Sequence, residues 1–225
     1  MNLQHRTICA LAAAVLSVCA SSADDQPTVE QLVTQYEARV NALRYENLAI
    51  ELARMNQLDQ LVRTAMFDIL NNPNLTDKER AHAQGEAGET VVKVDAENTQ
   101  RLKDILKSFS WQELAASRPD AAGNAQSIVQ HSGDIAFMQS ALPHFEQFAR
   151  DGIVGGGAFA NMFDRIAMKL GQPQRYGTQA KCENGELVMH EIEEPATVDQ
   201  RRSEFGLEPL VSYRERLKEM YRNSC

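Results

Sequence analysis

From Thr28 to Leu170 the apolar residues return every three or four positions, and only beyond Gly171 does the spacing drop to two. The first period is that of helices packed through one face. The second belongs to strands, and it flanks a single turn, Glu183-Asn184-Gly185-Glu186. Asn-Gly is the pair that most readily takes the positive φ angles of a type I′ hairpin. The expected fold is therefore mainly α: a single helical domain with a small antiparallel β-hairpin near its C-terminal end and a long N-terminal helical arm.

The arm spans residues 24–72 and the helical domain 73–225, the two expected to form one folded unit. Val29, Val33, Tyr36, Val40 and Leu43 make one stripe on the arm, and Leu48, Leu52, Met55, Leu58, Leu61, Val62, Met66 and Ile69 continue it after a shift of phase. The stripe is too short to specify a coiled coil, so it is expected to pack on the arm's own domain. Asn71-Asn72-Pro73-Asn74 stops this helix, and Thr76 with Glu79 forms a capping box that starts the next. Further helices are expected over 76–109, 124–150 and 158–170, with Trp111 to Gly123 a connector of one helical turn. Strands are expected over 176–182 and 186–192, and two last helices over 198–204 and 210–222.

Residues 1–23 stand outside this pattern. Arg6 precedes an apolar run, Ile8 to Ala20, that is short for a bilayer span, and small residues then lead to Asp24 and Asp25. That is the layout of a secretory signal peptide, so the mature protein is expected to be exported, periplasmic or secreted, with no membrane span. The chain's formal net charge of -8 disfavours nucleic acid and anionic lipid, which both attract basic surfaces. Cys9 and Cys19 would leave with the signal. Cys182 and Cys225 remain and, in an oxidising compartment, are expected to pair as a structural disulfide.

The polar motifs carry the chemistry. In Val129-Gln130-His131-Ser132-Gly133-Asp134, a helix would set His131 and Asp134 three apart and in reach of each other. A carboxylate fixes an imidazole's tautomer and raises its basicity, as a general base needs; a structural hydrogen bond is the alternative. Asp164 and Arg165 flank an apolar helix face and either border a site or pair with a neighbouring helix. Gly171 to Gln179, "GQPQRYGTQ", gathers amides, a phenol and a guanidinium into a short segment. On strand alternation Gln174, Tyr176 and Thr178 share one face, and such neutral groups orient a polar ligand or build a buried network. Asp59 and Arg63 form an i,i+4 ion pair. Gly155-Gly156-Gly157 lacks the Lys and Ser/Thr of a phosphate loop and reads as a flexible link. No cofactor motif is present, and the scattered His82, His144 and His190 do not support a metal site.

In order along the chain, "DQLVR" (59–63), "DAENTQRLKDIL" (95–106), Trp111, "IVQHSGD" (128–134), "FDRI" (163–166), "GQPQRYGTQ" (171–179) and "VDQRRSEFGLEPLVSY" (198–213) resemble an uncharacterised bacterial domain-of-unknown-function family. Its hallmark is a Gln-x-Tyr-Gly-Thr-Gln signature. The resemblance runs from about Leu52 to Tyr213; Ser110 stands where the family pattern commonly has Gly. It implies no reaction, cofactor or partner, but it sets His131, Asp164, Arg165, Gln174, Tyr176, Gly177, Thr178, Gln179, Arg201 and Arg202 in signature blocks.

Two readings follow. In the first, His131, Asp164 and Arg165 are catalytic, and Gln174, Tyr176, Thr178, Gln179 and Arg201 bind a small polar substrate for hydrolysis or group transfer. Asp134 or Asp164 would orient His131. In the second, the protein is a non-catalytic envelope ligand-binding or interaction protein, and these contacts fix its helices. Oligomeric state is open in both.

Overall fold

A computed structural model describes residues 29–220. The expected signal peptide over 1–23 and Cys225 of the expected disulfide lie outside the described residues. Contacts divide the chain into two units, Met1–Arg44 and Tyr45–Cys225.

Helix α1 runs Val29–Asn71. In the first unit the stripe expected to be covered is exposed: Val33, Tyr36, Val40 and Leu43 are between 45% and 69% accessible. From Tyr45 on the helix belongs to the second unit, where Leu48, Leu52 and Met55 are buried. Helix α2, Asp77–Ile105, begins at the expected capping box, with both reciprocal Thr76–Glu79 bonds made. Helix α3, Trp111–Ser117, begins at a second one: the Ser110 side chain accepts from the Glu113 N–H, and the Glu113 carboxylate accepts from the Ser110 N–H. A glycine at 110 would have no side chain to offer there.

The helix expected over 124–150 is two helices, α4 (Ala121–His131) and α5 (Ile135–Arg150). The Ser132 hydroxyl accepts from the Asp134 N–H at 3.0 Å, and the Asp134 carboxylate accepts from the Phe137 N–H at 2.9 Å. Such local bonds compete with helix continuation, and they make Asp134 the N-cap of α5. Pro143 lies within α5. Helix α6, Gly156–Lys169, starts inside the triple glycine rather than after it.

Strands β1 (Ala180–Glu183) and β2 (Glu186–Met189) pair antiparallel across Asn184-Gly185. The first is shorter than expected because Gly177 turns the chain at φ +66°. Residues 176–179 form a loop, so Tyr176, Gly177 and Thr178 are all buried instead of alternating. A parallel bridge joins Gln174 to Ile192. A 3-10 turn (Pro195–Thr197) leads into α7 (Val198–Ser203) and α8 (Leu210–Met220).

One core joins these elements in the second unit. Leu52 of α1, Leu102 of α2, Leu114 of α3, Val129 of α4, Phe145 of α5 and Met162 of α6 are all completely buried. Each such side chain contributes about 1.5–3 kcal/mol. Among the described residues no helix is long and apolar enough to cross a membrane.

Candidate functional site

Burial of the α1–α2–α4 interface sets charged groups against one another. Asp59 of α1 is 1% exposed and its carboxylate faces His131, the last residue of α4. The imidazole Nδ1 lies 3.0 Å from both Oδ1 and Oδ2. Gln60 Nε2 donates to Oδ2 at 2.7 Å, and Arg63 Nη1 approaches Oδ1 at 3.4 Å. Arg63 Nη2 also donates to both oxygens of Asp95 on α2, at 2.8 and 2.9 Å. The order is therefore His131, Asp59, Arg63, Asp95, drawn from three helices.

The two carboxylates shift in opposite directions. Burial alone would raise Asp59, but the hydrogen bond and charge of His131, with Arg63, hold it below its ordinary value. At Asp95 burial prevails over Arg63, and its carboxyl is pushed up. Neighbouring acids driven apart in this way are a feature of acid–base sites.

His131 and Asp95 open onto a cavity of about 480 Å³. Asp95, Thr99 and Lys103 reach it from successive turns of α2, Gly133 and Asp134 from the break between α4 and α5, and Lys169 from the end of α6. Thr99 is 7% exposed and its hydroxyl has no partner. Lys103 Nζ is bound to the Asp134 carboxylate at 2.6 Å. Lys169 forms no ion pair with a described residue, so the cavity retains one uncommitted cation. Among the described residues no group of three or more His, Cys, Asp or Glu is placed to hold a metal.

The structure thus gives His131 a partner other than either expected one. Asp134 is occupied as an N-cap and by Lys103. Asp164, fully buried on α6, is turned to the signature loop: Oδ1 accepts from the N–H groups of Arg175 (2.7 Å) and Tyr176 (3.0 Å), and Oδ2 from the N–H and hydroxyl of Thr178 (both 2.9 Å). Burial pushes this carboxyl up, against the four donors. Arg165 is half-buried beside it.

The remaining expected binding residues also turn toward backbone. Gln174, with no exposed surface, donates to the carbonyls of Gln179 (3.0 Å) and His190 (2.9 Å) and accepts from the Gln179 N–H (2.8 Å). Arg201 donates to the carbonyls of Arg175 and Glu193, and Arg202 to those of Tyr176 and Glu208. Tyr213 donates to the Thr178 carbonyl. Gln179 donates to the Thr178 hydroxyl. The Tyr176 ring packs edge-on against Phe159, Phe163 and Phe205.

Thr178 lines a separate cavity of about 390 Å³ that shares no lining residue with the one at His131. Sequence reading did not single out Asp95, Thr99, Lys103 and Lys169 as site residues. The signal available was a polar stripe at four-residue spacing on α2, on a helix with few apolar residues to bury.

No curated protein and no solved structure matches the chain. Residues 46–224 match a family described as a family of unknown function (DUF6624), and over most of its length the chain belongs to that family.

Proposed function

We propose that the cavity beside His131 is an acid–base site for hydrolysis or group transfer on a small polar substrate carrying an anionic group. The observation that carries the reading is the Asp59–His131 pair, a carboxylate held out of solvent against Nδ1 of an imidazole that lines a cavity. With its proton on Nδ1 and directed at Asp59, the ring keeps Nε2 as its basic atom. Nε2 then takes a proton from water or a substrate hydroxyl as that oxygen bonds to the electrophilic centre, and returns it to the leaving group as the old bond breaks. Lys169 holds the anionic part of the substrate, and the Thr99 hydroxyl supplies a directional hydrogen bond.

The signature loop has a positioning role in this reading. Asp164, Gln174, Arg201 and Arg202 tie down its backbone, and α6, which carries Lys169, is held through Asp164. That same observation favours a second reading, a non-catalytic binding protein whose signature serves the fold. We further propose that residues 1–23 direct export and that Cys182 and Cys225 pair in the mature protein.

A panel of small esters, phosphoesters and amides, presented to wild type and His131→Gln, tests the first reading. Wild type is expected to turn over at least one class, and His131→Gln to lose about 100-fold or more at unchanged helicity. Equal turnover by the two would sink it. Stabilisation by a probe without turnover would favour the second.

A further inference from the structure

The second cavity has the makings of an anion site, and it is independent of the His131 reading. Its wall includes the start of α6. Gly155 caps that helix without a side chain, and the N–H groups of Ala158 and Phe159 in the first turn both bond to the Gly155 carbonyl. The N–H groups of Gly156 and Gly157 have no acceptor among the described residues. Gly157, in the opening turn of a 14-residue helix, lines the cavity, so an unsatisfied donor and the positive end of the helix dipole lie at its wall.

A second observation points the same way. Arg202 lines the cavity, is 1% exposed, and stacks on the Tyr213 ring at 4.9 Å. Its Nε and Nη1 are satisfied by the Glu208 and Tyr176 carbonyls, but its Nη2 is buried with no acceptor. A buried cationic donor left unpaired costs more than a neutral one, and among the described residues no carboxylate is bonded to it. Glu208, the acid in the wall, is committed to Arg216 at 2.7 Å. Two guanidinia and a helix start therefore face one carboxylate. Asn161, also in the wall, has an unpartnered Oδ1, and the same amide turned over offers its NH2 instead.

We infer that this cavity binds an oxyanion, a phosphate or carboxylate group borne by a small molecule, between Gly157 at the start of α6 and the Arg202 guanidinium. A volume of about 390 Å³ exceeds what a bare ion fills, so the ligand has an organic body beyond its charged group. The body lies along Leu207 and Tyr213, the apolar and aromatic parts of the wall. Because Thr178 borders the cavity and Arg202 in its wall holds the Tyr176 carbonyl, occupancy would brace the signature loop from its outer side.

Thermal unfolding of the full mature chain with inorganic phosphate, or with acetate, against chloride of equal ionic strength reads out the site. Saturable stabilisation is expected, with a rise of roughly 3–6 °C at tenfold excess over Kd. Whichever anion gives it identifies the group as phosphate or carboxylate. Arg202→Met should abolish the rise, but it also removes two structural bonds. Gly157→Asp avoids that difficulty. A Cβ at Gly157 meets nothing within 4 Å, and an acid in the first turn of a helix is stabilising. This variant should melt at or above the wild-type temperature in chloride and gain nothing from phosphate or acetate. No anion-specific rise in wild type, or an equal rise in Gly157→Asp, would overturn the proposal.

Discussion

His131 and Asp59 stand 72 residues apart in the chain, yet Nδ1 of one lies 3.0 Å from each carboxylate oxygen of the other. The contact exists because α1, from Tyr45 on, buries its Leu48–Leu52–Met55 face in the core shared with α4, which brings Asp59 to the end of α4. Arg63, one turn further along α1, keeps the carboxylate paired and links it to Asp95. The site is thus a by-product of helix packing, made specific by four polar residues.

Asp59→Asn keeps the shape of the side chain and removes its charge. At neutral pH it should cost about 3 kcal/mol, since one partner of a buried pair is lost. The difference should depend on pH. Asp59 titrates below its ordinary 3.8 in the folded protein, so its stabilisation is present above that value and is lost as pH falls through the lower, folded one. Urea unfolding from pH 2 to 7 should show the gap between wild type and Asp59→Asn closing in acid. A constant gap would mean that the charge of Asp59 adds nothing.

Asp164→Ala strands three N–H groups in the signature loop, those of Tyr176 and Thr178 buried and that of Arg175 half-buried. With each orphaned donor costing about 1–3 kcal/mol, the loss should reach about 3 kcal/mol or more. Denaturant unfolding measures it. A loss under about 1 kcal/mol would show that the loop does not depend on this carboxylate.

Gly177→Ala should destabilise by about 1–3 kcal/mol for two reasons that add. The residue sits at φ +66°, and a Cβ there would lie 2.8 Å from Leu210 Cδ1 and 3.0 Å from Ile192 Cδ1. Thermal melting of the variant checks this, and an unchanged midpoint would contradict it.

The helices were legible because each buries a 3.6-period face, and the hairpin because Asn184-Gly185 takes positive φ. The break at Ser132–Asp134 was hidden: an apolar stripe runs through Ile128, Met138 and Phe145, and periodicity cannot see that a serine and an aspartate hydrogen-bond locally instead. That break displaced Asp134 from His131. The partnership with Asp59 is long-range and left no local mark beyond an ordinary-looking i,i+4 pair with Arg63. In the signature, residue types announced dense hydrogen bonding correctly, but the types alone do not distinguish side chains that reach a ligand from side chains that reach backbone. Gly177 decided it, by turning the segment into a loop whose amides converge on Asp164.

The tautomer of His131 decides whether a base faces the cavity. Nitrogen–proton NMR correlation of the labelled ring, in its neutral form, separates a proton on Nδ1 from one on Nε2. The Nδ1 proton is expected in wild type, leaving Nε2 as the basic atom, with loss of that preference in Asp59→Asn. An Nε2 proton in wild type would leave no base facing the cavity, and the acid–base reading would fall with it.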